Sequence, residues 1–301
     1  MFFRDHGSHN RVKRFSRKEM NLKMNYVLPL KVHAVKLAYR KRLLETMPNG
    51  YFCLRKGRPA VAVTFDPQDL RCTRHKPRVL LVSSKQGRVY AERIKTYLDV
   101  KHEYDVLHNK WNQLYTFPPP RVNLPLRQPF EQHKMNNEFF NGRNDNLGKY
   151  KSDNPTVSED GVFKSKNELM AADALKQLGI PFKYETELYI AEAEEWINPD
   201  FLVDFYEIDR CCYLEVLGMN DKFSYAAGTS TKITSYSKGK YRPGREVIYV
   251  HMYDKHNFDK TYFIEQVLSA FNTLIPDNAL EWGKDINKMS FQIPEGDSYS
   301  A

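Results

Sequence analysis

Apolar residues recur at helical spacing from Leu30 to Met47, and Asn49-Gly50 then breaks the pattern, which predicts a short helix. Two runs of β-formers, Tyr51–Arg55 and Ala60–Phe65, flank Lys56-Gly57-Arg58-Pro59. A third, Arg78–Ser83, is closed by Lys85-Gln-Gly-Arg. From about Val89 to Tyr115 the chain has the composition of a solvated helix, stopped by Pro118-Pro-Pro. Residues 117–160 lose periodicity and fill with Asn, Pro, Gly and Asp, which predicts a linker or wrapping loop.

Beyond this stretch the periodicity sharpens. It predicts helix Ser165–Leu178, strands Tyr184–Ile190, Asp200–Tyr206 and Cys211–Leu217, a weaker helix Phe223–Lys238, strand Glu246–Tyr253 and helix Lys260–Leu274. Gly179 and Pro181 end the first of these helices. The order αβββαβα places the chain in the α/β class, with a mixed α+β sheet as its core. The predicted organisation is a basic arm (1–29), a helix, strand and long-helix accessory region (30–116), the linker (117–160), the sheet domain (161–275) and a C-terminal tail (276–301).

Charge changes this picture in one respect. The chain of 301 residues carries a formal +9, and residues 1–44 hold 12 Lys and Arg against 2 Asp and Glu, while the remainder is close to neutral. An evenly basic nucleic-acid coat is therefore excluded. Arg11, Lys13, Arg14, Arg17 and Lys18 crowd into the arm, where a binding tail and a solvated tail look alike. At 41% apolar residues, the body can fill an ordinary core. Neither a secretory signal nor a membrane-spanning run is apparent, and four cysteines without a CxxC pair suit a reducing cytoplasmic setting. The adjacent Cys211 and Cys212 fit best as small buried hydrophobes.

Three acids stand out against apolar surroundings. Glu168 shares the apolar side of its helix with Ala172 and Leu175, where a carboxylate needs a partner or a metal. The plain alternative is a capping box with Ser165. Asp200 opens a β-rich run directly after Pro199, a position also common for a turn acid. Glu215 is the single charge in Tyr213-Leu-Glu-Val-Leu-Gly218, a run fit for a buried strand. Neighbouring strands can aim Asp200 and Glu215 at one point, with Glu168 approaching from the packed helix. Such an oxygen-only, multiply negative site suits Mg²⁺ or Mn²⁺, which lowers the pKa of bound water and offsets charge on a phosphodiester.

At these residues the chain resembles the PD-(D/E)xK nuclease superfamily, the restriction-endonuclease-like fold with an αβββαβ core. The resemblance covers roughly Phe163–Leu274. The pieces Phe163-Lys-Ser-Lys-Asn-Glu168, Leu178-Gly-Ile-Pro-Phe-Lys-Tyr-Glu185, Asn198-Pro-Asp-Phe201 and Leu214-Glu-Val-Leu-Gly-Met219 look like those of small bacterial and phage members with SKSE, GIPF.YE, PDF and EHLG-type motifs, in the same order. The resemblance implies Asp200, Glu215, the Val216 carbonyl and Glu168 as metal ligands. It also implies a lysine two residues after the last acid, where this chain has Leu217. Lys232 on the following helix is the implied replacement, spaced from Asp221, Tyr225 and Tyr236 to share one polar face. Ser165 and Lys166 are candidate phosphate contacts, although a cap and a surface charge explain them equally.

Function follows as expectation. The first reading is a metal-dependent phosphodiesterase, a DNA endonuclease of phage or bacterial origin, with the arm holding nucleic acid and a homo-oligomer compatible with it. Alternatives are a catalytically silent nuclease-like binding or assembly module, and an RNA-directed enzyme on the same scaffold.

Overall fold

The computed structural model describes residues 27–69, 76–126, 133–146, 156–158, 161–218, 223–252 and 258–283, with only the backbone of 223–227. Two compact units emerge. One is built from residues 30–124 with residues 277–283, and the other from residues 125–276. The basic arm carrying Arg11, Lys13, Arg14, Arg17 and Lys18 lies outside the described residues.

In the first unit, helix α1 (Leu30–Thr46) is followed by an antiparallel meander, β1 (Asn49–Arg55), β2 (Arg58–Phe65) and β3 (Arg78–Leu81), then by α2 (Lys85–Leu114) and β4 (Arg121–Val122). Alternation fails on β2, where Ala60–Val63 are all buried as the central strand of three. Ser84 starts α2 by accepting the Gly87 N–H at 3.0 Å. The buried positions of α2 fall in two sets, Gly87 and Ile94 on one face and Val100, Leu107 and Trp111 on another, about 120° round the helix. Its last turns hold a small aromatic core. Trp111 is fully buried, donates its indole N–H to the Phe117 carbonyl at 2.7 Å and meets His33 edge-on.

His33 sits on α1 with no exposure, and its Nε2–H donates to the Leu107 carbonyl at 2.8 Å. Burial drives its pKa down to about 4, against the pull of that hydrogen bond and helped by Lys110 and Lys36. Because the folded value lies below the unfolded value of 6.5, the neutral ring stabilises the fold above pH 6.5 and that contribution is lost as pH falls towards 4. About 3 kcal/mol is at stake across this window. A proton-NMR titration of the His33 ring should give a midpoint near 4. His33→Gln, which keeps a donor for Leu107, should flatten the acid limb of the stability profile; parallel profiles would show that His33 does not set it.

The second unit holds the three predicted helices and the predicted strands around Asp200–Tyr206, Cys211–Leu217 and Glu246–Tyr253. After α3 (Asn137–Gly142) and the short hairpin β5 (Thr156–Ser158) and β6 (Gly161–Phe163) come α4 (Lys166–Gln177), β7 (Phe182–Tyr184), β8 (Leu188–Ile190), β9 (Glu195–Ile197), β10 (Phe201–Phe205), β11 (Arg210–Leu217), α5 (Phe223–Lys238), β12 (Val247–His251) and α6 (Lys260–Leu274). The main sheet runs β12-β11-β10-β7. Its β7, β10 and β11 are antiparallel, and β12 joins β11 in parallel after the α5 crossover. The protein is thus mixed α/β. Every residue of β10 and β11 is buried, as expected for central strands covered on both faces. Ser165 caps α4. Gly179 ends it at φ +64, where the Ile180 N–H reaches the Leu175 carbonyl and the Gly179 N–H that of Lys176.

Two expectations change. The predicted strand Tyr184–Ile190 is broken, because Glu185 takes a left-handed φ of +47 and its backbone is held on both sides: its N–H by the Asp200 carbonyl and its carbonyl by Asn146 Nδ2. The chain then turns into the separate β8–β9 hairpin. Within 117–160, the segment expected to be linker or loop, Met135 and Phe140 are buried in a core cluster with Leu202, Tyr213 and Tyr236. That segment therefore contributes to the core. Among the described residues, no helix is long and apolar enough to cross a membrane.

Candidate active site

The antiparallel pairing of β10 with β11, Phe201 opposite Leu214, brings Asp200 at the mouth of β10 beside Glu215 and Val216. Pro199 is buried at the strand entrance and fixes the direction from which Asp200 enters. Asp200 Oδ2 accepts the Val216 N–H at 2.8 Å. This bond locks the carboxylate against the neighbouring strand. Glu215 lies deeper, with a side chain 1% exposed.

Position 217 shares the face of Glu215 by strand alternation, and it carries the buried Leu217. The cation comes from α5 instead. Lys232 Nζ donates to Glu215 Oε2 at 2.6 Å and stands 3.6 Å from Asp200 Oδ1. One helical turn on, the Tyr236 hydroxyl donates to Glu215 Oε1 at 2.6 Å. The expected polar face is therefore seen for Lys232 and Tyr236. Asp221 lies outside the described residues, and Tyr225 is described only as helical backbone.

Glu168 reaches the same region from α4. Its N–H is accepted by Ser165 Oγ at 3.2 Å, and Ser165 Oγ donates to Glu168 Oε1 at 2.8 Å, so the capping relation is present. The other carboxylate oxygen takes a short hydrogen bond from the Tyr184 hydroxyl, which itself accepts the Lys164 N–H at 2.9 Å. Ser165 is thus committed to the helix start. Lys166 is exposed at the first turn.

Electrostatics record the crowding. Burial, then the charge of Asp200, pushes Glu215 up to about 8, with Lys232 and Tyr236 working against the rise. Glu168 is pushed up to about 7 by burial and then Asp200, offset in part by Tyr184 and Ser165. Burial alone would lower Lys232, but Asp200 and Glu215 outweigh it and raise its pKa, so the ammonium keeps its proton.

A fourth acid went unrecognised as a site residue in the sequence. Glu185 is buried and ion-paired to Lys164, and its Oε2 has no hydrogen-bond partner. Its N–H bonds the Asp200 carbonyl at 3.0 Å. Burial raises its pKa, with the Asp200 charge adding to the rise and Lys164 and Lys232 opposing it. The only signal for it was its place at the end of the Gly179-Ile-Pro-Phe-Lys-Tyr-Glu185 piece.

The donor set is oxygen throughout, and the buried Oε2 of Glu185 has no hydrogen-bond partner. Such chemistry fits a hard divalent cation. Among the described residues, however, no group of three or more His, Cys, Asp or Glu side chains is drawn together closely enough to hold a metal as they stand. The Lys232 ammonium takes the position between Asp200 and Glu215. No family model matches the chain, and no curated protein or solved structure matches it.

Proposed function

We propose that the sheet unit is a metal-dependent phosphodiesterase, a DNA endonuclease on a restriction-endonuclease-like core. The observation that carries this reading is the convergence of Asp200, Glu215 and Lys232 from three consecutive elements, with Glu168 felt electrostatically across the same space. Supporting it is the main sheet with its helices: α4, three antiparallel strands interrupted by the β8–β9 hairpin, a crossover helix and a parallel fourth strand.

Asp200, Glu215, the Val216 carbonyl and Glu168 would hold Mg²⁺ or Mn²⁺, which supplies an acidified water and charge stabilisation for phosphodiester hydrolysis. The chain's own groups have distinct tasks. The Val216 N–H fixes the rotamer of Asp200, and Tyr236 fixes that of Glu215. Lys232 keeps a proton at Nζ and so presents positive charge to a phosphoryl oxygen, the task of the strand lysine that Leu217 replaces. Water adds to phosphorus, one P–O ester bond breaks, and the leaving oxygen takes up a proton.

A silent nucleic-acid-binding or assembly module is the second reading. The ammonium already placed between Asp200 and Glu215 favours it, since it offsets part of the pair's charge without metal. Purified protein incubated with linear, supercoiled and single-stranded DNA and with RNA separates the two. Cleavage is expected with Mg²⁺ or Mn²⁺ and none in EDTA. Binding without cleavage under every metal condition would establish the silent module, and cleavage confined to RNA would reassign the substrate.

A further inference from the structure

The turn between β1 and β2 is Lys56-Gly57, with φ of +50 and +75, the left-handed geometry that matches hairpin twist. Lys56 adopts it at a steric cost that Gly or Asn would avoid. Arg55 and Arg58 face each other directly across the hairpin, a like-charge pair that opposes folding. The stretch Asn49–Phe65 holds these three cations and no carboxylate. All three are exposed, and no described carboxylate pairs with them. Arg55 instead donates to the Val79 carbonyl at 3.1 Å, which lays its guanidinium along the sheet.

Strand alternation puts Tyr51 on the same side as Arg55 and Arg58, and Phe52 and Leu54 on the other. The Tyr51 ring is 51% exposed. It lies four residues, about 13 Å, along β1 from Arg55, a span that a few nucleotides of extended strand can bridge. Uncompensated cations at a costly turn, in line with a bare aromatic ring, match the alternating phosphates and bases of a single strand. An acidic peptide would use the charges and leave the ring without a role.

We propose that this face of the β1–β2 hairpin binds single-stranded nucleic acid, with phosphates on Arg55, Lys56 and Arg58 and a base stacked on Tyr51. The surface belongs to the first unit and does not depend on the nuclease reading. Binding is therefore measured in EDTA, where cleavage plays no part, so either idea can fail without the other.

Fluorescence anisotropy of the full chain with a labelled single-stranded oligonucleotide, a matched duplex and polyglutamate, across a salt series, provides the test. The combined variant Arg55→Gln, Lys56→Gly, Arg58→Gln should bind the single strand at least about tenfold more weakly and lower the salt slope by about 2. Tyr51→Ala should weaken single-strand binding roughly five- to hundredfold with the salt slope kept, and affect the duplex less. Leu54→Ala, on the opposite side, should bind as wild type. Lys56→Gly alone relieves the turn, so it folds and still loses about 0.7 of the slope. The proposal is overturned by unchanged affinity and slope in the combined variant. It is equally overturned if Tyr51→Ala is silent while polyglutamate binds as well as the oligonucleotide, which would mark an acidic protein as the partner, or if Leu54→Ala loses as much as Tyr51→Ala.

Discussion

Glu215→Gln is expected to lower metal-dependent cleavage by about 10²–10³-fold, the share of a barrier that a metal's charge stabilisation supplies at a few kcal/mol. The fold should survive. Gln can accept from Lys232 through its carbonyl oxygen and donate its amide N–H to the Tyr236 hydroxyl, and Lys232 retains Asp200 at 3.6 Å, so no buried charge is stranded. Removing a carboxylate that burial already disfavours should leave thermal stability level or slightly higher. Glu215→Ala is the poorer variant, because it strips partners from both Lys232 and Tyr236 and so mixes lost activity with lost stability. If the Gln variant cleaves at the wild-type rate, Glu215 has no part in the chemistry.

In the first unit the largest effect is expected from Trp111→Ala, at about 3–5 kcal/mol. The ring has no exposure and packs within 5.1 Å of His33 and 4.4 Å of Tyr115, so its removal leaves a void lined by other rings that cannot collapse without losing their own contacts. The Phe117 carbonyl also loses its donor. Against a typical total of roughly 5–15 kcal/mol this is a severe loss. Trp111→Phe should recover most of the packing and remain about 1 kcal/mol short for the missing indole N–H. Denaturant unfolding followed by circular dichroism reads both; an Ala variant as stable as wild type would place the unit's stability elsewhere.

Helices α5 and α6 begin and end where periodicity puts them, and Ser165 and Gly179 mark α4 by chemistry that residue type alone reveals. What stayed hidden has a common cause. Glu185 and Glu194 turn the chain at positive φ without glycine, so no breaker residue announces the turns. Strands of three residues such as β8 and β9 are also too short to show alternation. Leu280–Glu281 pairs with β4 from the far end of the chain, a contact no local pattern encodes. The same division runs through the site. Glu168, Asp200 and Glu215 were legible as charges in apolar runs, and Lys232 only as the replacement that the nuclease resemblance implied. Glu185 was not, because its buried carboxylate depends on a backbone excursion that only the folded chain displays.

Supplying the ammonium from a helix instead of the strand changes what a local fluctuation does to the acids. Helix α5 is rich in Ser, Thr and Gly, and Thr234, Ser235 and Ser237 bond back to carbonyls four residues earlier, a habit that weakens and bends helices. Its anchors are the bonds of Lys232 and Tyr236 to Glu215 and of Ser235 to Glu195. Opening this one segment would withdraw the site's cation while β10 and β11 stay intact. Amide exchange across α5 should therefore be faster than in those strands, and faster still if a divalent ion binds the acids and displaces Lys232 from Glu215.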